Sequence, residues 1–429
     1  MADTLIRDNE GVLTLGGVSL PRLAARYGTP LYLMDVATIR ARLNAWTAAV
    51  PAPNEVYFAG KAFLCRALIP LLQSAGVGLD VVSGGELLTA LAAGMPPSRI
   101  TFHGNLKTIA EMRIALAAGV GRVVADSDEE LVRWDRLAAE AGRSVEVWLR
   151  LTPGVDPHTH RYITTGHVKS KFGWPLEGGA AEAAVGRALR LPHVRLTGYH
   201  AHIGSQILES RPYEETAEHM MAFARAMHTR YQFWPRYLDL GGGLGISDSG
   251  EEAPTPQELA DAFSGIVTRG TPPGERIPVW AVEPGRSVVA QAGVTLYRVG
   301  VVKRAGDGTM YVVVDGGMGD NIRPALYEAR YRALPVHMAS GAPAPVTIAG
   351  RYCESGDLLV EDAVLPPLEP DDLLVVLDTG AYGYVMASQY NRVPVPAVVA
   401  VEDGTSSVWV EGLRWDEVHA RDRAAPWPS

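Results

Sequence analysis

Short apolar runs rich in β-formers alternate with amphipathic stretches between about residues 56 and 285. The eight runs are Val56–Ala59, Leu79–Val82, Ile100–His103, Arg122–Ala125, Val145–Leu151, Leu196–Ile203, Tyr237–Leu240 and Val279–Glu283. The segments between them, such as Glu86–Ala93 and Glu129–Ala141, carry apolar residues at three- and four-residue spacing, which is typical of helices. Eight strand–helix units predict a (β/α)8 TIM-type barrel over residues 36–285. A doubly wound sheet stays the alternative, because a single sequence does not show closure.

The pattern changes after Gly285. Six β-rich runs follow, separated by Gly, Pro and Asp turns and without helical periodicity: Val294–Val302, Met310–Val314, Pro345–Ala349, Leu373–Asp378, Val395–Val401 and Ser407–Val410. They predict a second, all-β domain. Residues 1–35, with the strand-like Pro30–Asp35, are expected to join its sheet. That domain would then comprise residues 1–35 plus 286–429, with the barrel inserted between its two parts.

Composition narrows the class of protein. A chain of 429 residues with 47% hydrophobic and 20% charged residues fits a two-domain globular enzyme. The net charge of -9 argues against nucleic acid as the main partner. No apolar run is long enough to span a membrane, and the N-terminus lacks a signal-peptide core. The two cysteines, Cys65 and Cys353, do not suggest a disulfide scaffold, so we expect a cytoplasmic protein.

Lys61 stands in VYFAGKAF, directly after the first predicted barrel strand. Most lysines at strand ends are simply solvated. Barrel enzymes, however, place their chemistry at the C-terminal ends of the strands. A lysine there, flanked by Phe58 and Phe63, is partly desolvated, which frees its amine to form a Schiff base with a carbonyl group.

The ends of strands six and seven carry further candidates. His202 and Ser205 lie in GYHAHIGSQI, where an imidazole can stack on a flat ring and a hydroxyl can donate to a phosphate. A lone histidine is more often a core residue, but this one shares the predicted active face with Lys61. Strand seven is followed by Gly241, Gly242 and Gly243. A glycine cluster is often only a tight turn, yet barrels frequently bind phosphate after strands seven and eight.

Strand eight ends in VEPGRS, where Glu283 and Arg286 flank the turn formed by Pro284 and Gly285. An ordinary salt bridge would explain this pair structurally. In a cofactor site the two residues would divide the work, with Glu283 facing a cationic ring nitrogen and Arg286 facing an anion.

Together these motifs resemble the barrel-fold, alanine-racemase-like decarboxylases that use pyridoxal 5'-phosphate (PLP), and most closely the diaminopimelate decarboxylases. The resemblance covers nearly the whole chain, apart from small departures such as Phe63, where many relatives carry asparagine. Its motifs are AGKAF around Lys61, DVVSGGEL from Asp80, FHGNLKT from Phe102, PGVDPHTHRYITTG from Pro153, SKFG from Ser170, HIGSQ from His202, GGGLG from Gly241, EPGR from Glu283, DNIRPALYEARY from Asp320, CESGD from Cys353 and DTGAYGYVMASQYN from Asp378.

The resemblance implies how PLP is held. Lys61 is expected to carry the cofactor through a Schiff base, and His202 to stack on its ring. Glu283 is expected to keep the pyridine nitrogen protonated, which makes the ring a full electron sink. Racemases of this fold are expected to place an arginine at that position, so Glu283 favours decarboxylation. The remaining cofactor-binding residues implied are Ser205, Gly241, Gly242, Gly243, Pro284, Gly285, Arg286 and Tyr382. No metal is expected.

The resemblance also implies the substrate and the assembly. The expected reaction is decarboxylation of meso-2,6-diaminopimelate to L-lysine, the last step of lysine biosynthesis. Substrate-binding roles fall on Arg286, Arg323, Tyr327, Glu354 and Tyr382. Cys353 is expected to protonate the carbon that loses CO2, reaching the site from the neighbouring subunit of a homodimer.

Two other functions stay open from the sequence. The first is a related decarboxylase acting on ornithine or lysine. NIRPALYEARY and HTHRYITTG favour diaminopimelate, because its distal carboxylate needs a cation. The second is a non-catalytic PLP-binding barrel protein, which would lack the β domain and the CESGD and GAYG motifs present here.

Overall fold

A computed structural model describes residues 1–156, 171–247, 253–338 and 340–423. The chain divides into two compact units. One unit comprises Arg40–Val288, and the other combines Met1–Ile39 with the chain from Val289 onward.

The N-terminal segment contains four strands and two helices: β1 (Ile6–Arg7), β2 (Leu13–Leu15), β3 (Val18–Ser19), α1 (Leu20–Tyr27), β4 (Leu31–Asp35) and α2 (Val36–Ala49). The first three strands pair antiparallel in a small sheet. Strand β4 is buried along its whole length, which fits a position inside a larger sheet.

The larger unit is built from parallel strands joined by helices. The strands are β5 (Glu55–Ala59), β6 (Gly78–Val81), β7 (Ile100–Phe102), β8 (Arg122–Ala125), β9 (Val145–Thr152), β10 (Trp174–Pro175), β11 (Val194–Ala201), β12 (Tyr237–Asp239) and β13 (Val279–Val282). The helices up to residue 289 are α3 (Ile69–Ser74), α4 (Gly84–Ala92), α5 (Ile109–Ala118), α6 (Asp128–Glu140), α7 (Ala180–Ala188), α8 (Arg211–Tyr231), α9 (Pro256–Gly270) and α10 (Arg286–Val289).

Eight of these strands close into a barrel. Each pairs in parallel with the next, and β13 returns to β5 through the register Ala281↔Glu55. The two-residue β10 pairs in parallel with the last residues of β9 and is not one of the eight. Strands such as β6 and β13 are buried at every position, as expected when helices cover one face and the barrel interior fills the other. Closure confirms the predicted barrel and excludes the doubly wound sheet.

Several of the predicted strands extend past the observed ladder. Strand β11 ends at Ala201, yet Ile203 is buried; β7 and β13 end one residue before His103 and Glu283, which are buried too. Burial at this end therefore continues beyond the last strand hydrogen bond.

Side-chain caps set the starts of several barrel helices. Ser83 accepts a hydrogen bond from the backbone N–H of Glu86, and Thr108 with Glu111 and Thr255 with Glu258 form reciprocal capping boxes. None of the helices in the described parts of the chain combines the length and apolar character needed to cross a bilayer.

The C-terminal part adds eight strands and one short helix: β14 (Gly293–Arg304), β15 (Met310–Val314), α11 (Arg323–Tyr327), β16 (Ala333–Pro335), β17 (Ala344–Ala349), β18 (Leu358–Leu365), β19 (Leu373–Val376), β20 (Val398–Glu402) and β21 (Thr405–Val410). Strand β4 lies between β14, to which it is antiparallel, and β20, to which it is parallel. The N-terminal segment thus contributes strand β4 to this sheet. The sheet is mixed, and the unit also carries the helices α1 and α11.

The N-terminal end of the barrel is filled by the guanidinium group of Arg122. Its Nη1 lies 3.0 Å from Glu55 Oε2, and its Nε lies 3.4 Å from Glu146 Oε1. Its centre also stands 4.3 Å from the ring of Tyr237 and 5.0 Å from that of Trp148. The charge is therefore largely shielded from water by both acidic and aromatic partners.

Arg122→Ala is expected to destabilise the barrel by about 3 kcal/mol, the lower end of the loss for a buried ion pair, because it leaves the partly buried Glu55 carboxylate without its cation and empties the space among the aromatic rings. The measurement is the free energy of unfolding in urea. Arg195→Ala is the matched control: Arg195 also pairs with Glu146, at 2.7 Å, but its side chain is 66% exposed. That control should cost no more than about 1 kcal/mol. Equal losses in the two variants would contradict the idea of a buried ionic plug.

Candidate active site

A cavity of about 300 Å³ lies among the C-terminal ends of the barrel strands. Its lining combines an amine, two carboxylates, three imidazoles and a guanidinium, all carried at or just after a strand end. These side chains belong to Lys61, Asp80, His103, Arg150, His200, His202 and Glu283. Charged groups gathered at this end of a barrel are typical of a catalytic site.

Lys61 occupies a short turn, Gly60–Ala62, between β5 and the buried Phe63. Two backbone features hold this turn against the end of strand eight. The N–H of Ala59 donates to the carbonyl of Pro284 at 3.0 Å. A Cβ on Gly285 would stand 3.0 Å from that of Ala62, so the two turns approach as closely as glycine allows.

Glu283 is surrounded by two histidines. Its Oε1 lies 3.1 Å from His103 Nε2 and 3.2 Å from His200 Nε2, and the latter nitrogen also lies 3.3 Å from Oε2. On its other side, His103 Nε2 is 3.4 Å from Asp80 Oδ1. All four side chains are buried. The cluster is thus shielded from bulk water, and its charges act strongly on one another.

The ionisation of this cluster follows from its contacts. Burial raises the pKa of the Glu283 carboxyl, but His103 and His200 outweigh it and hold that pKa well below its usual range. Burial lowers the pKa of His103, yet Glu283 and Asp80 together raise it to about 9. For His200 burial prevails over Glu283, and its pKa falls to about 4. At neutral pH Glu283 is therefore a carboxylate between a charged and a neutral imidazole.

His202 is a neutral imidazole in a fixed orientation. Burial, and then the charge of Lys61, lower its pKa well below the usual value. Its Nδ1 accepts a hydrogen bond of 3.3 Å from the N–H of Gly242, which assigns the ring proton to Nε2. The ring therefore presents a defined face to the cavity that it lines.

The glycine turn after β12 is squeezed between the ends of two other strands. A Cβ on Gly241 would stand 2.3 Å from the carbonyl oxygen of Ala201, and one on Gly242 would stand 2.0 Å from that of Glu283. Any side chain at either position would displace backbone next to His202 or Glu283. Close packing thus explains these glycines without an anion, and their contact with a phosphate stays a proposal.

Ser205 and Arg286 are joined at the same end of the barrel. The Arg286 guanidinium donates to the Ser205 hydroxyl through Nη2 at 3.0 Å and through Nε at 3.3 Å. Both residues are half-buried. A hydroxyl beside a guanidinium is a suitable partner set for a phosphate group.

In the other unit, Arg323 is a buried cation between two aromatic rings. Its centre lies 4.9 Å from the ring of Tyr327 and 5.3 Å from that of Tyr382. The Nε of Arg323 has no hydrogen-bond partner among the residues that the structure describes. A desolvated guanidinium with unused donor capacity is suited to binding a carboxylate.

Cys353 and Glu354 are exposed on one loop of that unit. The loop is anchored by the buried carboxylate of Asp357, which accepts hydrogen bonds from Tyr352 N at 2.7 Å and Met318 N at 2.6 Å. The N–H of Cys353 donates to the Asn391 side chain at 3.0 Å. A well-anchored loop thus presents a free thiol and a carboxylate at the surface of the single chain.

The barrel residues fit PLP by their chemistry. The amine of Lys61 suits the aldehyde, and the Glu283 carboxylate suits a protonated ring nitrogen. Glu283 Oε1 and both Asp80 oxygens complete no well-aligned hydrogen bond among the described residues, although His103 lies close to both groups. The cavity end of the cluster therefore retains acceptor capacity for one further N–H donor.

Comparison with known proteins agrees with this chemistry. Residues 36–290 match the family model of the pyridoxal-binding domain of pyridoxal-dependent decarboxylases. The chain is 44% identical to the diaminopimelate decarboxylase of Bacillus subtilis over 418 residues, covering 96% of this chain and 95% of that protein. It is also 44% identical to that of Mycobacterium tuberculosis over 414 residues, covering 93% and 92%. The chain belongs to the diaminopimelate decarboxylase family.

Solved structures of the family match at the level of the fold. The diaminopimelate decarboxylase of M. jannaschii, in complex with L-lysine, aligns with a TM-score of 0.93 at 34% identity over 99% of both chains. A lysine/ornithine decarboxylase from Vibrio vulnificus aligns with a TM-score of 0.77 at 22% identity, covering 90% of this chain and 97% of that one. At that identity the second likeness shows a shared fold alone.

Membership of the diaminopimelate decarboxylase family confirms the resemblance seen in the sequence, and the matched domain confirms PLP as the cofactor. In the barrel unit, three predicted site residues, Lys61, His202 and Glu283, line one cavity. Arg323, Tyr327 and Tyr382 form one cluster in the other unit. Residues 157–170, which include the whole HTHRYITTG motif and Ser170, lie outside the described residues.

The sequence motifs assign no role to four ionisable cavity residues of this decarboxylase: Asp80, His103, Arg150 and His200. Each lies at or next to the C-terminal end of a barrel strand. An ionisable residue at the end of an otherwise apolar strand is the sequence signal by which they could have been found. His103, His200 and Glu283 also have metal-ligand atoms within 4.8 Å of one another. The absence of a metal stays a prediction.

Proposed function

We propose that this chain decarboxylates meso-2,6-diaminopimelate at its D-configured centre, giving L-lysine and CO2 and so completing lysine biosynthesis. The observation that carries the proposal is the near full-length identity of 44% to curated diaminopimelate decarboxylases. It is supported by the cavity, where the amine of Lys61 follows β5, the first barrel strand, and the carboxylate of Glu283 follows β13, the last. When bound, PLP supplies an electron sink for the electron pair left by the departing CO2.

The barrel residues would hold the cofactor and keep water from it. Lys61 attaches it, His202 packs against one face of its ring, and Glu283 accepts the hydrogen bond of its ring nitrogen. Phosphate binding falls to the Ser205–Arg286 pair and to the backbone of the turn Gly241–Gly243. We assign Pro284, Gly285 and Tyr382 to the same site, on the motifs that they share with the family.

The substrate would be recognised by its distal end. Diaminopimelate carries an ammonium and a carboxylate there, whereas lysine and ornithine carry only an ammonium. We assign the carboxylate to Arg323 and Arg286 and the ammonium to Glu354. Tyr327 and Tyr382 are placed to complete the hydrogen bonds. Anchoring this end fixes the orientation of the carboxylate that leaves, which is what the reaction needs.

The β-sheet domain would complete the site in a homodimer. We propose that Cys353 of one subunit delivers a proton to the carbon that has lost CO2 in the site of the other. The exposure of its thiol in the single chain is consistent with such a role. On this proposal residues 36–285 bind PLP, and residues 1–35 with 286–429 supply substrate-binding and interface residues.

We also propose that the enzyme works in the cytoplasm. The two thiols, the buried Cys65 and the exposed Cys353, are both free. A catalytic thiol such as Cys353 must stay reduced, as it does in a reducing compartment.

The deciding experiment is a parallel assay of purified protein with meso-diaminopimelate, L-lysine and L-ornithine. Diaminopimelate should be turned over at least about a hundredfold more efficiently, because the other two substrates offer no carboxylate to the buried guanidinium of Arg323. Comparable kcat/KM for lysine or ornithine would favour the related diamino-acid decarboxylases. If the protein turned over none of the three substrates, the result would favour a non-catalytic PLP-binding protein. Such a protein, however, would not need the β-sheet unit.

A subunit-mixing experiment tests the shared site. Lys61→Ala and Cys353→Ala are each expected to be inactive alone. After subunit exchange, each hybrid dimer would contain one intact site and one doubly defective site, so about a quarter of wild-type activity should return at full 1:1 mixing. Exchange is verified with two differently tagged preparations. A mixture that exchanges and yet stays inactive would show that both residues act within one chain.

A further inference from the structure

Two imidazoles hold the Glu283 carboxylate from two different strand ends. His103 follows β7 and His200 lies in β11, and their Nε2 atoms approach the same oxygen of Glu283, at 3.1 and 3.2 Å. The rings meet edge to face with centroids 4.9 Å apart. Each therefore limits the movement of the other. The carboxylate has little freedom to turn away from the cavity that it lines.

We infer that His103 is a positioning residue for the decarboxylation: together with His200 it clamps the Glu283 carboxylate and keeps it ionised, so that this group can accept the N–H of the cofactor's ring nitrogen. This rests on the role that the proposed function gives to Glu283. A protonated Glu283 would instead donate to the nitrogen and leave the ring a weaker electron sink.

Asp80 is the reason that His103 can serve as the charged member of the clamp. Its Oδ1 lies 3.4 Å from the same Nε2 that faces Glu283, so two carboxylates share one imidazole. His200 has no such second acid: its Nδ1 is buried without a hydrogen-bond partner among the described residues. The two histidines thus differ in charge although both contact Glu283.

Other charged groups also face the cluster. The charge of Lys61 lowers the pKa of Asp80 and of His202. The charge of Arg150 lowers the pKa of both His200 and His202. Arg150 is itself 3.7 Å from Asp126. The carboxyl of Asp239 faces Glu283 and Asp80; burial and then Glu283 raise its pKa well above the usual value, so it adds no second negative charge at neutral pH.

Removal of His103 has a definite direction. Burial raises the pKa of Glu283, and His103 is the largest of the influences that lower it. Without that imidazole the pKa of Glu283 rises, so the carboxyl takes up a proton at a higher pH than in the wild type. The ring nitrogen then loses its ionised acceptor at the acid end of the working range.

The test uses the holoenzyme loaded with PLP that carries ¹⁵N in its ring. The wild type should show a pyridinium ¹⁵N signal that is constant from about pH 5 to 8, because over that range His103, whose pKa is about 9, keeps the charge that holds Glu283 ionised. In His103→Gln the signal should change at a higher pH than in the wild type, and the acid limb of the kcat/KM profile should move upward with it. kcat should fall more than KM rises, since substrate contacts are untouched.

Two further variants make the result decisive. His228→Gln is the matched control, because His228 Nε2 also lies 3.0 Å from a carboxylate, that of Glu275, on the outer side of the barrel. It should leave the signal and the profile as in the wild type. Asp80→Asn should shift the ¹⁵N signal and the pH profile in the same direction as His103→Gln, but by a smaller amount. It replaces His103→Gln as the test if that variant fails to fold.

The inference would be overturned if the ¹⁵N signal of folded His103→Gln matched that of the wild type at every pH, whatever the loss of activity. If His103→Gln does not fold, the same comparison is made with Asp80→Asn. The signal is recorded without substrate. A wild type with the expected signal but no turnover of diaminopimelate would therefore refute the proposed function and leave the clamp in place.

Discussion

Lys61→Ala is expected to lower kcat/KM for diaminopimelate by at least about a thousandfold, or roughly 4 kcal/mol of transition-state stabilisation. Lys61 is the one lysine among the described residues that line the cavity, so no neighbouring amine replaces it there. Borohydride should fix the cofactor irreversibly to the wild type, and peptide mapping should find the pyridoxyl group on Lys61. The same treatment should leave Lys61→Ala unlabelled.

Two controls separate the amine from the charge. Lys61→Arg keeps a cation in the turn but offers no group that borohydride can fix to the cofactor, so it should behave like the alanine variant. Lys303→Ala removes an exposed lysine of the β-sheet unit and should be labelled and active as the wild type. A pyridoxyl group mapped to any lysine other than Lys61 would refute the assignment.

Arg323→Ala is expected to cost diaminopimelate turnover about 2–5 kcal/mol, that is roughly thirtyfold to several thousandfold in kcat/KM. The guanidinium is buried between Tyr327 and Tyr382, so its removal would leave the distal carboxylate of the substrate without the more deeply buried of its two proposed cations. The measurement compares kcat/KM for diaminopimelate with that for L-lysine. The lysine value should not fall, because lysine has no distal carboxylate.

Arg332→Ala provides the matched control. Arg332 lies in the same unit and pairs with Asp378 at 3.3 Å, but half of its side chain is exposed. Its removal should change neither kcat/KM by more than about threefold. Parallel losses for diaminopimelate and lysine in Arg323→Ala would instead indicate general damage to the sheet unit.

Much of the fold could be predicted because its strands carry a clear local pattern. Strands β8 and β15 have the predicted bounds. The long strand β18 was missed because Glu361 and Asp362 interrupt its apolar run, and Asp362 adopts a positive φ of 53°. Helix α11 has only five residues after Ile322, which is too short for a periodicity to be visible.

The site could be predicted only in part. Lys61 and Glu283 were identifiable because each follows a buried strand and carries a group with an evident cofactor role. The relation of His103 to Glu283 was not, because the two are separated by 180 positions in the numbering and meet only when the barrel closes. Isolated polar residues in apolar runs are usually core residues, and no local rule distinguishes the exceptions.

The ionic plug formed by Arg122 has a consequence for engineering. Glu55 begins strand β5, whereas Lys61 follows its end, so the plug and the reactive amine stand at opposite ends of the same strand. Gains in thermal resistance often reduce turnover, because the same residues serve both properties. Here the residues proposed for stability and those proposed for catalysis lie at opposite ends of the barrel. Directed evolution for heat tolerance can therefore concentrate on the N-terminal rim of the barrel and leave the catalytic rim as it is.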